Sequence, residues 1–235
     1  KQPMVIKLLC KVHQKLKDWN ALRELLPSIQ SMKIFSENEL NAIEKQIYQA
    51  LLINLPEETI QQKKSFNDTE SLSLKYLHQL WDEAPKFLKK DANFFTQYVS
   101  QLIAIGANLE ARKLIEEGLH REWHDRWVLL YGQVQLEDQN LVWNHAQKWL
   151  QQKPNNAALR LTLGRIASRL KMWKEAQEHY QASLKFKPST EAYFELARIM
   201  DQHGDTKTSL ELHQKGVSLL YPTLTPTISK SALAS

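Results

Sequence analysis

The sequence lacks several features that would point to a particular class of protein. It holds one cysteine, Cys10, among 235 residues, so neither an intramolecular disulfide nor a cysteine-cluster metal site can form. Six glycines are too few for the turns of a many-stranded sheet protein. No apolar run approaches the roughly 18 residues that span a bilayer, and no signal peptide precedes the first helical pattern. We expect a soluble fragment of a longer protein, with any anchor outside it.

Motifs for catalysis and for nucleic-acid binding are also missing. The chain has no glycine-rich phosphate loop, no HExxH pair and no Gly-x-Ser-x-Gly elbow, so we expect no enzymatic activity. The formal charge of +5 is mostly interleaved with acidic residues, unlike the dense basic stripe of a nucleic-acid site, so we expect no nucleic-acid partner. Basic side chains concentrate only in the first 33 residues, where Asp18 and Glu24 are the acidic ones: Lys1, Lys7, Lys11, Lys15, Lys17, Arg23 and Lys33.

A helical repeat is what the sequence does contain. Three prolines, Pro154, Pro188 and Pro222, recur every 34 residues, which is the period of the tetratricopeptide repeat. Between the first two, the signature residues of that repeat stand in order: Leu163, Gly164, Ala176 and Tyr180. The small residues let helices approach, the tyrosine fills the space beside them, and the prolines end helices. We predict an all-α fold, a tetratricopeptide-type α-solenoid of antiparallel helix pairs stacked into a right-handed superhelix.

The regularity of the repeat varies along the chain and predicts three parts. Residues 1–66 are degenerate N-terminal helical repeats, 67–221 form the tetratricopeptide array, and 222–235 form a tail that we expect to be poorly ordered. The first helix pair should stop at Pro27. Ser36 and Glu39 predict a capping box that starts a helix to about Leu55. The stretch 57–68 is polar and weakly periodic, and the next helix cap is expected at 67–70.

The first helices of stacked pairs usually line the groove that binds a partner. Six side chains on these predicted helices form the candidate groove: Arg126, Gln133, Arg160, Arg165, Arg169 and Arg198. A basic groove favours an acidic peptide, a C-terminal carboxylate or a propionate-bearing ligand, through bidentate arginine contacts. The alternative is that these arginines pair with Glu191, Glu195 and other acidic neighbours and bind nothing else.

Histidine and aromatic residues leave further alternatives. His120 and His124 are four residues apart but straddle the end of one predicted helix and the start of the next, without an evident third metal ligand. We interpret them as a surface or capping pair, with haem ligation as the alternative; no other cofactor and no metal site is predicted. Cys10 lies in an apolar run and is expected to be a buried structural thiol. The tryptophans favour core packing over a binding platform: Trp19, Trp81, Trp123, Trp127, Trp143, Trp149 and Trp173.

Four stretches of the sequence together resemble the C-terminal tetratricopeptide portion of the proteobacterial HemY family. They are KDWNALRELLP from Lys17, LSLKYLHQLWDEAPKFLKKDANFFTQYVSQLIAIGANLEARKLIEEGLHREW from Leu72, RWVLLYG from Arg126, and WLQQKPNNAALRLTLGRIASRLKMWKEAQEHYQASLKFKPSTEAYFELA from Trp149. The resemblance implies a bacterial inner-membrane protein whose two N-terminal transmembrane helices are absent here. It also implies a link to late haem biosynthesis without an established catalytic activity.

Two functions follow from that resemblance. The first is a scaffold for protein partners such as haem-biosynthesis enzymes, and the alternative is a carrier that binds porphyrin or haem. A two-helix anchor returns the chain to the side of the membrane where it began, and we favour the cytoplasmic face over the periplasmic face.

Overall fold

The computed structural model describes residues 2–55 and 72–221, and these residues form α-helices joined by turns, without a strand. The helices within these two ranges are α1 Gln2–Leu16, α2 Trp19–Met32, α3 Glu37–Ile53, α4 Leu72–Glu83, α5 Lys86–Lys89, α6 Ala92–Ala104, α7 Asn108–Arg121, α8 Asp125–Tyr131, α9 Gln139–Gln152, α10 Ala157–Arg169, α11 Trp173–Phe186, α12 Thr190–Gln202 and α13 Thr206–Leu220. The all-α prediction is confirmed.

Polar side chains begin several of these helices. The predicted capping box at α3 is present, because the Glu39 backbone N–H donates to Ser36 Oγ and the Ser36 N–H donates to Glu39 Oε2 at 2.9 Å. Hydrogen bonds to these caps satisfy backbone donors that have no partner inside the helix. Further side-chain caps are Asp18, Asp91, Asp138, Asn156, Ser189 and Asp205.

The expectation that the first helix pair stops at Pro27 is wrong. Helix α2 continues through Pro27 to Met32, and Leu26 and Ile29 on either side of the proline are buried. A proline inside a helix costs about 3 kcal/mol, and burying two large aliphatic side chains contributes about as much or more. The residue after the helix, Lys33, caps it instead: its backbone is left-handed (φ 49°), and its N–H donates to the Gln30 carbonyl.

The most apolar face of helix α1 is not the face that packs on the protein. Its apolar residues Val5, Leu8, Val12 and Leu16 share one face, but that face is exposed to solvent. The side that contacts α2 carries Cys10, which is buried as predicted. An amphipathic pattern shows that a helix has an apolar face without showing what covers it.

The region after residue 156 contains the most regular helix pairs, α10–α11 and α12–α13. Gly164 of α10 lies so close to Tyr180 of α11 that a Cβ atom at Gly164 would overlap the tyrosine ring. Ala176 is fully buried beside this contact. Helices α9 and α11 end two residues before Pro154 and Pro188, as predicted, and the third proline, Pro222, lies outside the described residues. The signature residues therefore do the packing and terminating expected of them.

The unit before these pairs has a shortened first helix. Helix α8 has only seven residues, and Gly132 caps its end instead of lying within it. The Thr162 hydroxyl of α10 donates to the Val128 carbonyl of α8 at 2.7 Å. A Cβ atom at Gly132 would stand 3.1 Å from Thr162 Oγ1, so the absence of a side chain permits this close approach.

The chain divides into two compact units, Lys1–Leu114 and Ile115–Ser235, which we call unit 1 and unit 2. The predicted boundary between 1–66 and 67–221, the polar stretch 57–68, the cap at 67–70 and the tail 222–235 fall outside the described residues. The division into three parts therefore stays a prediction. Among the described helices, none has both the length and the apolar character needed to span a bilayer.

Candidate functional site

The first helices of the last two regular repeats, α10 and α12, bring two of the candidate arginines together on one glutamate. Arg165 Nε on α10 donates to Glu195 Oε1 on α12 at 3.3 Å, and Arg198 Nη2 donates to Glu195 Oε2 at 2.6 Å. The side chains of Arg165 and Glu195 are 18% and 21% exposed, whereas that of Arg198 is 60% exposed. We call Arg165, Glu195 and Arg198 the first-helix face. Two guanidinium groups share one carboxylate, so the first-helix face carries a net positive charge.

Arg169 lies one turn after Arg165 but makes a different set of contacts. Its guanidinium donates to Gln139 Oε1 at 3.1 Å and to the carbonyls of Gly132 at 2.7 Å and Val134 at 3.2 Å. Burial lowers the pKa of the Arg169 guanidinium. In the structure, this predicted groove residue therefore stabilises the turn that follows α8.

Arg160 points toward the second helix of its own pair. Its Nε donates to the Pro154 carbonyl at 3.1 Å, and its Nη1 lies 3.3 Å from Nδ1 of His179 on α11. Burial, followed by the charge of Arg160, lowers the pKa of His179 to about 4. The imidazole is therefore neutral near pH 7, and its Nδ1 accepts the hydrogen bond because arginine has no acceptor.

The remaining two groove candidates belong to the shortened repeat. Arg126 is exposed in the first turn of α8. Gln133 is also exposed, but it follows the end of α8 and does not lie on the helix where the sequence predicted it. Early termination of α8 is the reason, because the chain turns at Gly132. The structure thus brings together Arg165 and Arg198 through Glu195, and it does not bring all six candidates into one cluster.

His120 and His124 lie on either side of the turn between α7 and α8, as the sequence predicted. His120 is exposed in the last turn of α7, and His124 is the residue before α8. The His124 ring stacks on buried Trp127, with ring centroids 5.0 Å apart, and its Nδ1 is buried without a hydrogen-bond partner among the described residues. In residues 2–55 and 72–221, no group of three or more His, Cys, Asp or Glu side chains is placed to hold a metal ion.

Sequence reasoning missed a polar cluster around Glu116 of α7. The Tyr131 hydroxyl donates to Glu116 Oε1 at 2.6 Å, and His145 Nδ1 lies 2.7 Å from the same oxygen. The ring of Trp149 contacts both Tyr131 and His145, with centroids 4.7 and 4.9 Å away. These side chains come from three different helices, so the spacing of the residues in the sequence did not predict the cluster. Its contacts tie α7, α8 and α9 together.

The tryptophans sit mainly at helix contacts and not in one aromatic platform. Trp127 is buried, and the other six are half-buried. In unit 1, Trp81 stacks on Tyr98 with ring centroids 4.3 Å apart and also contacts Phe94 and Phe95. This arrangement agrees with the core-packing interpretation.

Stacked helix pairs with small residues at their contacts and prolines after their second helices define the class of this protein. It is a tetratricopeptide-repeat protein of the α-solenoid type, a fold whose helix pairs serve as scaffolds for protein interaction. Among curated proteins, the chain is similar to Protein HemY of Escherichia coli K12 and to Protein HemY of Shigella flexneri, each 20% identical over 219 residues. The alignments cover 93% of this chain and 52% of each HemY protein.

The chain is accordingly a HemY-like tetratricopeptide region, which confirms the resemblance found in the sequence. It spans about half the length of the curated relatives it matches. No protein-family model matches it.

The chain is also similar to proteins of known structure. One is a thermophilic TPR protein of Thermus thermophilus, which is 13% identical, with a TM-score of 0.51. The match covers 87% of this chain and 92% of the Thermus chain. MamA from Desulfovibrio magneticus RS-1 is 17% identical and covers 76% of this chain and 98% of its own, with a TM-score of 0.45. The first likeness supports the tetratricopeptide fold and nothing more specific.

Proposed function

We propose that this protein is a non-catalytic scaffold for protein partners at the bacterial inner membrane, associated with late haem biosynthesis. The HemY similarity and the tetratricopeptide fold support the proposal. Its partners include enzymes of haem biosynthesis. In the longer protein, transmembrane helices N-terminal to this region hold it at the membrane, on the cytoplasmic face.

The observation that carries the partner site is the sharing of Glu195 by Arg165 and Arg198. Only Nε of Arg165 and Nη2 of Arg198 contact the carboxylate in hydrogen-bonding geometry, which leaves further guanidinium donors for an incoming group. A second carboxylate from a partner can bind these donors, since arginine prefers bidentate contacts with carboxylates. An acidic peptide or a C-terminal carboxylate therefore suits the first-helix face.

Charge reversal at the first-helix face tests the scaffold. We expect Arg165→Glu with Arg198→Glu to abolish the capture of protein partners from detergent extracts, as identified by mass spectrometry. Because Arg165 is largely buried, a second variant with Arg165→Gln and Arg198→Gln removes the charge without adding a like charge beside Glu195. Circular dichroism must show unchanged helix content. Lys185→Glu, an exposed charge reversal on the second helix α11, is the matched control. Equal capture by the control and both double variants would place the partner site elsewhere.

A second candidate function is that of a porphyrin or haem carrier, with His120 and His124 as the ligands. The observations that favour it are the exposed imidazole of His120 and the unpartnered Nδ1 of His124 beside Trp127. A haem titration followed by visible absorption tests it. A Soret shift that disappears in the His120→Ala, His124→Ala variant supports the carrier. Absence of a shift in the unaltered chain removes this candidate and leaves the scaffold proposal intact.

A further inference from the structure

Helix α1 of unit 1 exposes an unusually apolar face. Five aliphatic side chains on it are exposed by 54%, 63%, 38%, 42% and 69% respectively: Val5, Leu8, Leu9, Val12 and Leu16. Val5, Leu8, Val12 and Leu16 recur every three or four residues and Leu9 follows Leu8 directly, so the five lie within one continuous stripe along the helix. We call them the α1 stripe. Scattered apolar residues on a surface need no explanation, but a continuous row of this length marks an interaction site.

A row of lysines runs beside the α1 stripe. Lys7, Lys11 and Lys15 are exposed, and each directly precedes a stripe residue in the sequence. One residue is about 100° around an α-helix, so the lysine row and the stripe lie next to each other on the outward side of α1. Lys7 Nζ also lies 5.3 Å from the centre of the Phe35 ring. The other side of the helix, which carries Cys10, is the side that packs on the protein.

The charge of the surrounding sequence restricts what can cover this surface. The first 33 residues carry seven Lys or Arg side chains and two acidic ones, Asp18 and Glu24, and Glu39 at the start of α3 is near enough to Lys7 to interact with its charge. Asp18 also caps α2 by accepting from the Ala21 N–H. A second copy of the chain would bring one lysine row against another, which like-charge repulsion disfavours. The occupant must therefore be anionic and must accept exposed aliphatic side chains.

We propose that α1 docks on the surface of an anionic lipid bilayer. An amphipathic helix with lysines beside an apolar stripe lies in the plane of the interface, with its aliphatic side chains among the acyl chains and its ammonium groups at the anionic headgroups. The stripe is a row on one convex helix, and none of its five side chains lines either of two cavities found among the described residues of unit 1, of about 260 and 340 Å³. A flat, deformable surface suits this shape. The contact is peripheral and differs from a transmembrane anchor.

Vesicle binding tests this proposal directly. The 235-residue chain is sedimented with vesicles of equal parts phosphatidylglycerol and phosphatidylcholine, and in parallel with phosphatidylcholine vesicles. We expect binding to the anionic vesicles to be at least roughly tenfold stronger, because each lysine near an anionic surface contributes about a fivefold increase in affinity. The preference should fall as the salt concentration rises.

Matched variants assign the binding to α1. Leu8→Glu with Val12→Glu should abolish sedimentation with anionic vesicles, and Lys11→Glu with Lys15→Glu should remove the preference for them. Leu210→Glu on α13 changes a comparably exposed leucine, 59% exposed, and should bind like the unaltered chain. Lys185→Glu with Lys187→Glu is the equivalent control for charge. All substituted positions are exposed, so circular dichroism should show the same helix content throughout.

Three results would overturn the proposal. One is a failure of the unaltered chain to bind anionic vesicles, and another is equal loss in the α1 variants and their controls. The third is self-association in light scattering that Leu8→Glu with Val12→Glu dissolves, without vesicle binding, since a second copy would then cover the stripe. The proposal does not rest on the scaffold function. The α1 stripe is in unit 1 and the first-helix face is in unit 2, so the two sets of variants fail independently.

Discussion

Nη1 of Arg169 donates a 2.7 Å hydrogen bond to the Gly132 carbonyl, 37 residues earlier in the chain. The same guanidinium also bonds Gln139 Oε1 and the Val134 carbonyl. One side chain of α10 therefore satisfies two backbone carbonyls at the point where α8 ends early. A planar group with five donors in a fixed fork suits this role, and lysine cannot reproduce it.

Replacing Arg169 with lysine should destabilise the protein although the charge is retained. We expect the free energy of unfolding to fall by about 2 kcal/mol, because at least one buried carbonyl loses its donor. Arg198→Lys is the matched control. Its side chain is mostly exposed and its ion pair with Glu195 should contribute less than about 1 kcal/mol. Urea unfolding of both variants measures the difference, and equal values would show that Arg169 does not brace the turn.

Gly164→Ala should also destabilise the protein, against the usual preference of helices for alanine. Alanine in a helix interior gains up to about 1 kcal/mol over glycine, but its Cβ would overlap the Tyr180 ring, and overpacking of this kind costs about 1 to 3 kcal/mol. A double-mutant cycle with Tyr180→Leu separates the two effects. The alanine should be tolerated better once the ring is gone. Additive effects in the cycle would contradict the steric explanation.

The sequence predicted the fold well where the spacing of residues along a helix pair also determines how the two helices pack. Gly164, Ala176 and Tyr180 stand at the spacing that the tetratricopeptide repeat requires for its helix packing, so their roles could be predicted from spacing. Pro27 could not be interpreted in this way. Its local rule predicts a helix end, but the burial of Leu26 and Ile29 overrides that rule and depends on contacts beyond the helix. Residues 2–55 therefore diverge from the prediction more than the regular repeats do.

The candidate site was predictable only in part, for a similar reason. Arg165 and Glu195 are 30 residues apart and occupy the first helices of adjacent repeats, so their pairing follows from the period. The hydrogen bonds of Arg169 depend on the early end of α8, and the spacing of residues in the sequence did not predict that end. The exposure of the α1 stripe was equally hidden, because amphipathic periodicity is the same for a covered and an uncovered face.

The buried His179 should make stability depend on pH. Its pKa is lowered to about 4 from an ordinary value of 6.5, first by burial and then by the charge of Arg160. Between these values the unfolded chain binds the proton more readily than the folded protein, so acid favours unfolding. The contribution of His179 to stability is therefore complete above pH 6.5 and is lost as the pH falls toward 4.

His179→Gln isolates this effect, because glutamine does not titrate and the acidic residues common to both proteins cancel in the comparison. We expect the unaltered protein to lose about 2 kcal/mol more than the variant over that interval. Urea unfolding at a series of pH values measures both curves. Parallel curves would show that His179 is not held neutral by its surroundings.

Glu195 should limit how strongly the first-helix face binds an acidic partner, since its carboxylate already occupies donors of both Arg165 and Arg198. Glu195→Gln removes the negative charge while keeping the size of the side chain. It should raise the capture of partners roughly two- to fivefold, which is the factor expected from an ion pair worth about 0.5 to 1 kcal/mol, such as that between Glu195 and the mostly exposed Arg198. Glu191→Gln, on the same helix and exposed, should leave capture unchanged. Labelled mass spectrometry can quantify this capture. The proteins to be measured are those that the unaltered chain captures and the Arg165→Gln, Arg198→Gln variant does not. A decrease with Glu195→Gln would show that the partner needs this carboxylate, and the face would then bind a basic group and not an acidic one.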